Sequence, residues 1–268
     1  MLIFIGVLGL VALIAIVVRP DGEPSYGGRS LSYWVGRLVP AGEPAAAVEE
    51  AIRHIGTNAL PYLLEWIQQE RPLSTPSKRQ LYEITGGLLK KYDIWLEHKE
   101  YILAGQATEA LQILASQAGG TIPQLLRLMT NYFDGPSTAE RASKVIVSMG
   151  TNARPALPAL ITLLTNKTRG VDILGIKVLG ELKLEPQLVV PALANCLVSS
   201  NETARFAAAR ALRRFGENAG NAVPALLRVL DDSDADVQRC ASNSLRAIDA
   251  QALERFNARA AEAGKNVE

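Results

Sequence analysis

Large apolar residues in this chain fall in short clusters spaced for one face of a helix, and five of those clusters open on a proline. Aligned on that proline they read Pro61-Tyr62-Leu63-Leu64-Glu65-Trp66-Ile67, Pro123-Gln124-Leu125-Leu126-Arg127-Leu128-Met129, Pro158-Ala159-Leu160-Ile161-Thr162-Leu163-Leu164, Pro191-Ala192-Leu193-Ala194-Asn195-Cys196-Leu197 and Pro224-Ala225-Leu226-Leu227-Arg228-Val229-Leu230. The second, third, fifth and sixth residues after the proline are mostly large and apolar. The fourth is in turn Glu65, Arg127, Thr162, Asn195 and Arg228. That spacing predicts amphipathic helices with a wide buried stripe and one polar row facing out. Proline suits the start of each, because its missing N–H is no loss in a first turn and its φ is preset.

The prolines stand 62, 35, 33 and 33 residues apart. A fixed period in this range marks a stacked array of supersecondary units. The doubled first gap predicts a degenerate unit between the first two copies. Ahead of the proline-led helices lie partners that end on glycine: Ala45 to Ile55 before Gly56, Ala139 to Met149 before Gly150, and Thr203 to Phe215 before Gly216. Glycine closes a helix in the left-handed conformation without a Cβ penalty. Two joints nearly repeat, Gly56-Thr57-Asn58-Ala59 and Gly150-Thr151-Asn152-Ala153, and a third begins Gly216-Glu217-Asn218-Ala219. Each unit therefore reads as first helix, glycine turn, second helix. The unit at 170–199 departs, since Gly180 precedes Glu181-Leu182-Lys183-Leu184 and does not close its helix.

The closing glycines, the Pro-x-Leu-Leu openings, and the segments Ala204-Arg205-x-x-Ala208-Ala209-x-Ala211-Leu212 and Val237-Gln238-Arg239-Cys240-Ala241 together resemble the HEAT-repeat family, over roughly 45 to 250. The resemblance implies an all-α fold, an α-solenoid of stacked antiparallel helix pairs, and is closest to membrane-anchored bacterial-type HEAT repeat proteins. Armadillo repeats are the nearest alternative, but their third helix finds little room in a 33-residue period.

Residues 1–18 contain no charged side chain. As a helix they span about 27 Å, close to the ~30 Å hydrocarbon core of a bilayer. No Lys or Arg precedes the run, and Ile16-Val17-Val18-Arg19-Pro20 is a poor cleavage site, so the segment reads as an uncleaved transmembrane anchor in preference to a signal peptide. Arg19, Arg29 and Arg37 follow it, which by the positive-inside rule leaves the remainder in the cytoplasm. Residues 19–29 are expected to form an extended tether with nothing to pack. Residues 30–268 are expected to form the solenoid with its caps: Ser30 caps a short helix carrying Leu31, Trp34, Val35 and Leu38, and Asp249 to Ala263 covers the far end with Leu253 and Phe256.

Between the first two copies, 70–77 is a loop by composition. Lys78 to Lys91 is then expected to be helical, interrupted at Gly86-Gly87, with Asp93 to Leu103 as its partner. The preferred reading is a decayed repeat. The alternative is an insertion that recognises a partner through Trp95, His98 and Tyr101.

Candidate chemistry is sparse. The chain has two histidines, His54 and His98, and two cysteines, Cys196 and Cys240. His54 suits the end of a first helix, where a cation favours the dipole. Cys196 holds the repeat position of Leu128, Leu163 and Val229, and reads as a small core hydrophobe, as does Cys240. There is no Cys-x-x-Cys pattern, no His-Glu pair and no phosphate-binding loop, so no metal, cofactor or small-molecule substrate is indicated. The absence of His-Glu pairs sets aside the di-iron hydroxylases among HEAT-like enzymes.

Formal charge is +1, from 28 basic and 27 acidic residues, and 200–268 carries ten of each sign. That balance argues against nucleic acid, which asks for a basic stripe. The expected function is a membrane-tethered scaffold binding another protein, not an enzyme. In the family the second helices line the concave side, which makes Glu65, Arg127, Thr162, Asn195 and Arg228 the candidate partner-binding row. The same residues read equally well as the solvated side of amphipathic helices. The alternative is an enzyme or accessory subunit of the bilin-lyase type, which shares HEAT-like repeats and for which no catalytic residue is found here.

Overall fold

The computed structural model of the chain describes residues 22–38, 45–69, 88–131, 135–165 and 170–265. The apolar run 1–18 and the stretch 70–87, including Gly86-Gly87, lie outside these. Within the described residues the chain is helical apart from one short hairpin. No helix there is long and apolar enough to cross a membrane.

The hairpin pairs β1 (Ser25–Tyr26) antiparallel with β2 (Arg29–Ser30) around Gly27 and Gly28, both at positive φ. Thirteen helices follow among the described residues: α1 (Leu31–Val35), α2 (Ala45–Ile55), α3 (Leu60–Trp66), α4 (Leu88–Ile113), α5 (Ile122–Thr130), α6 (Pro136–Ser148), α7 (Leu157–Leu163), α8 (Val171–Leu182), α9 (Pro186–Cys196), α10 (Glu202–Phe215), α11 (Val223–Arg228), α12 (Ala235–Ile248) and α13 (Ala250–Lys265). The first helices α4, α6, α8, α10 and α12 pack side by side in chain order, and α5, α7 and α9 do so in the second layer. One apolar core runs between the layers, from Leu31 to Leu253, so each pair buries its face against its neighbours. Over the described residues the fold is the expected α-solenoid.

The glycine joints behave as the sequence predicts. Gly56, Gly150 and Gly216 have φ of +60°, +54° and +54°. Each opens a short 3₁₀ turn, Gly56–Ala59, Gly150–Ala156 and Gly216–Ala222, that carries the chain to the next helix. Pro61, Pro123, Pro158 and Pro224 occupy the first turns of α3, α5, α7 and α11.

Pro191 is different. It lies inside α9, which starts five residues earlier at Pro186. The cause is the atypical joint: α8 ends not on glycine but on Lys183 at φ 53°, whose N–H returns to the Leu179 carbonyl at 3.2 Å, and Glu185 follows at φ 46°. A three-residue turn replaces the longer 3₁₀ segment, so the second helix begins sooner.

Two other expectations are corrected. The tether 19–29 was expected to have nothing to pack, yet over 22–29 it is fixed to the first repeat. The Tyr26 ring lies 4.6 Å from that of His54, the Tyr26 carbonyl accepts the Trp34 indole N–H at 3.1 Å, and the Gly22 carbonyl accepts the Tyr62 hydroxyl at 2.9 Å. Aromatic side chains supplied the adhesion that composition concealed. Likewise Asp93 to Leu103 is not a separate partner helix. α4 runs unbroken from Leu88 to Ile113, since no proline interrupts it and Gly105 sits in open space within it.

Both caps form. Ser30 Oγ accepts the Tyr33 N–H at 3.4 Å, and Leu31, Trp34 and Val35 are buried over α2 and α4. At the other end Asp249 Oδ1 accepts the Ala252 N–H at 2.9 Å, and Leu253 is buried with Phe256 half-buried beside it.

Candidate functional site

The second-helix row is where the sequence places it. Glu65, Arg127, Thr162, Asn195 and Arg228 are all exposed, one on each of α3, α5, α7, α9 and α11. Their uniform exposure follows from the flanking pairs, of which Leu63, Leu125, Leu160, Leu193 and Leu226 are fully buried and pin the helix rotation. Thr162 donates its hydroxyl to the Pro158 carbonyl at 3.0 Å, so that proton is used within its own helix.

A groove of about 660 Å³ lies on the other layer, built from the first helices α4, α6, α8 and α10. None of the five row residues lines it. Its floor is apolar, made by the half-buried Val147, Ile173, Phe206 and Ala207 with Leu174 and Val178 below them. Its size falls within the usual 300–1,000 Å³ of binding clefts. Gly180 and Ala211 bring α8 and α10 together at one edge, where a Cβ on Gly180 would stand 2.7 Å from that of Ala211.

Charged residues line the groove unevenly. Arg214 is held by Glu181 at 2.6 Å. Lys144, Lys177 and Arg210 are exposed and make no ion pair among the described residues. These three come from α6, α8 and α10 and stand 33 residues apart, so they hold one repeat position in three consecutive units. The cation row was missed in the sequence because the proline register aligns only the second helices. Carrying the same 33-residue step into the first helices finds it.

Several other C-terminal charges are spent on the fold. Arg205 grips Asp232 through two bonds of 2.7 Å and donates to the Ser199 carbonyl at 3.0 Å. The hydrogen bonds from the Arg205 guanidinium hold the Asp232 carboxyl below the ordinary carboxylate range, against burial, which works in the opposite direction. Asp234 caps α12 by accepting the Asp236 and Val237 N–H groups at 2.9 Å. Asp236 pairs with Arg239. In the acidic run after the arginines, Asp232 is thus spent on an ion pair across units, Asp234 on a helix start and Asp236 on a pair within α12.

Candidate reactive residues lie away from the groove. Cys196 is half-buried against the core, and burial, then Asp172, raises its thiol to about 11. Cys240 is buried and its thiol is also raised, chiefly by burial. Among the described residues no group of three or more His, Cys, Asp or Glu is placed to hold a metal. Tyr101 is partly exposed and carries the Arg141 guanidinium 5.0 Å from its ring centre. The side chains of Trp95 and His98 lie outside the described residues.

Residues 157–246 and 190–264 match the family model of HEAT repeats. No curated protein matches the chain. Among solved structures, two crystal structures of engineered proteins from the Northeast Structural Genomics Consortium are similar. One is 19% identical, covering 84% of this chain and 96% of its own length with a TM-score of 0.39. The second is 17% identical, covering 84% and 70%, also at 0.39.

Proposed function

We propose that this chain, whose residues 157–264 match the family model of HEAT repeats, is a membrane-tethered scaffold that holds a polypeptide partner and performs no chemistry on it. One observation carries the reading: the groove is assembled from the faces of four successive first helices. A site made by regular repetition presents extended surface, which suits an extended partner better than a small substrate. The uncharged run 1–18 supports the tether, and the arginines after it support a cytoplasmic solenoid.

The exposed row Glu65, Arg127, Thr162, Asn195 and Arg228 is a second surface for the same partner, favoured by its unbroken exposure across five units. Its mixed polarity fits a specific polypeptide better than a uniformly charged polymer.

Crosslinking in intact membranes, followed by identification of what is attached, tests the proposal. A discrete polypeptide joined to the solenoid is the expected result, together with retention of the chain in membranes through an alkaline wash. Attachment of no polypeptide overturns the scaffold reading. Reversing Arg127 and Arg228 to glutamate in the same assay tests the row: capture that persists unchanged removes it from the docking surface.

A further inference from the structure

We propose that the first-helix groove takes an acidic, amphipathic polypeptide segment laid across α6, α8 and α10. Its carboxylates meet Lys144, Lys177 and Arg210, and its apolar side chains meet the floor. The inference rests on the scaffold reading and names the partner's chemistry.

Charge is the first argument. The groove is lined by four cations, Lys144, Lys177, Arg210 and Arg214, against two carboxylates, Glu140 and Glu181. Arg214 and Glu181 satisfy each other at 2.6 Å. Three aligned cations remain with one carboxylate among them. The fold gains nothing from such a row, since like charges at neighbouring repeat positions repel. Elsewhere in the array, Arg205 and Arg154 are each given an acidic partner across the joint. An anionic visitor supplies the missing counter-charges.

Spacing is the second. Neighbouring packed helices lie about 8–10 Å apart, so the cations recur at roughly that interval. A polyproline-II segment rises about 3.1 Å per residue with three residues per turn, which returns every third side chain to one face at roughly 9 Å. A Glu-x-x-Glu-x-x-Glu pattern therefore meets all three helices in step. The residues between present apolar groups to Val147, Ile173 and Phe206.

Nucleic acid fits less well. A duplex carries one charge per about 1.7 Å of axis, several times denser than this row, and a phosphate backbone leaves the apolar floor uncovered. Nor does this chain supply the segment from its remaining residues. Outside the described parts its acidic residues are Asp21, Glu43, Glu70, Glu83, Asp134 and Glu268, and none has another within three positions there. The occupant is a different polypeptide.

The test uses the full-length chain in detergent and a fluorescein-labelled peptide of four Glu-Pro-Leu repeats, read by fluorescence anisotropy. The expected result is saturable binding that weakens as salt rises and falls at least tenfold in the triple variant Lys144→Glu, Lys177→Glu, Arg210→Glu. A Lys-Pro-Leu peptide should prefer that variant over the parent. A triple glutamine variant, with circular dichroism on both, keeps the test decisive if the charge reversals disturb folding. No binding of the acidic peptide, equal binding by the variants, or tighter binding of a 12-nucleotide single strand overturns the proposal. Membrane crosslinking separates the two readings: a polypeptide still captured by the triple variant sinks the groove assignment alone, whereas no capture by the parent chain sinks the scaffold.

Discussion

Gly180 and Ala211 meet backbone against backbone: a Cβ built on Gly180 would stand 2.7 Å from the Cβ of Ala211 and 2.9 Å from its Cα. This contact sets the approach of α8 to α10 at the edge of the groove. Alanine at 180 gains about 1 kcal/mol of helix propensity, but the obstacle is main chain and cannot swing aside. Overpacking of this kind costs roughly 1–3 kcal/mol, so the clash wins. Gly180→Ala should lower stability in urea denaturation, and adding Ala211→Gly should recover part of the loss. Gly105→Ala is the contrast: it lies in the interior of α4 with nothing within 4 Å, and should stabilise by about 0.5–1 kcal/mol. Equal responses at the two glycines would show that propensity alone governs both.

Arg141 ties three helices at one point. It is 7% exposed and donates to the Ile67 and Gln69 carbonyls at 3.0 and 2.7 Å, past the end of α3, while stacking near Tyr101 of α4. Arg141→Met keeps the aliphatic bulk but removes the guanidinium donor from the Gln69 carbonyl and leaves the Ile67 carbonyl only the Thr138 hydroxyl at 3.3 Å, at a cost of roughly 1–3 kcal/mol. Arg141→Lys should rescue only part, because one ammonium does not reproduce the planar fork. Thermal melts of the three proteins check the order arginine, lysine, methionine.

The Arg205–Asp232 pair should make stability depend on acidity in one direction. The side chains are 12% and 7% exposed, and Arg205 keeps the Asp232 carboxyl below its ordinary value. A carboxyl depressed in the folded state contributes fully above its unfolded value, about 3.9. The contribution is lost as pH falls through the lower folded value. Asp232→Asn should cost roughly 1–3 kcal/mol at pH 7, and the gap between mutant and parent should close below about pH 4. A gap that stays constant from pH 7 to pH 3 contradicts the assignment.

Cys196, raised to about 11 by burial and Asp172, is roughly one part in a thousand thiolate at pH 8, and only the thiolate is the nucleophile. Intact protein should therefore take up iodoacetamide at Cys196 far more slowly than an ordinary free thiol, with Cys240 slower as well. Both should label in urea at the rate of a model peptide. Mass spectrometry of quenched time points reads the difference, and rapid labelling of Cys196 in folded protein would remove the case for a core role.

Repetition is what made the architecture legible. The 33-residue step and the glycines at 56, 150 and 216 identify helix pairs because each is a local requirement: a buried stripe, a preset φ, a left-handed closure. The exposed row Glu65 to Arg228 was legible for the same reason. Two misread elements lacked such a signal. The hairpin at 25–30 is held by the Trp34 indole on the Tyr26 carbonyl and by the Tyr26 ring against His54 in the first repeat, and α4 passes through a stretch with no repeat to align it. Pro191 misled because its joint closes on Lys183 instead of glycine.

The sequence by itself determined a helical array, its joints, its caps and an uncharged leading segment, since those follow from spacings within about one turn or one repeat. Only the tertiary structure decided which faces meet. It took the stacking of α6, α8 and α10 to set Lys144, Lys177 and Arg210 in one row over an apolar floor, and the packing of successive units to pair Arg205 with Asp232 and Arg214 with Glu181. The charges of Arg205 and Arg214 are written in the sequence, but whether they are answered depends on a neighbour 27 or 33 residues away. Packing alone places that neighbour.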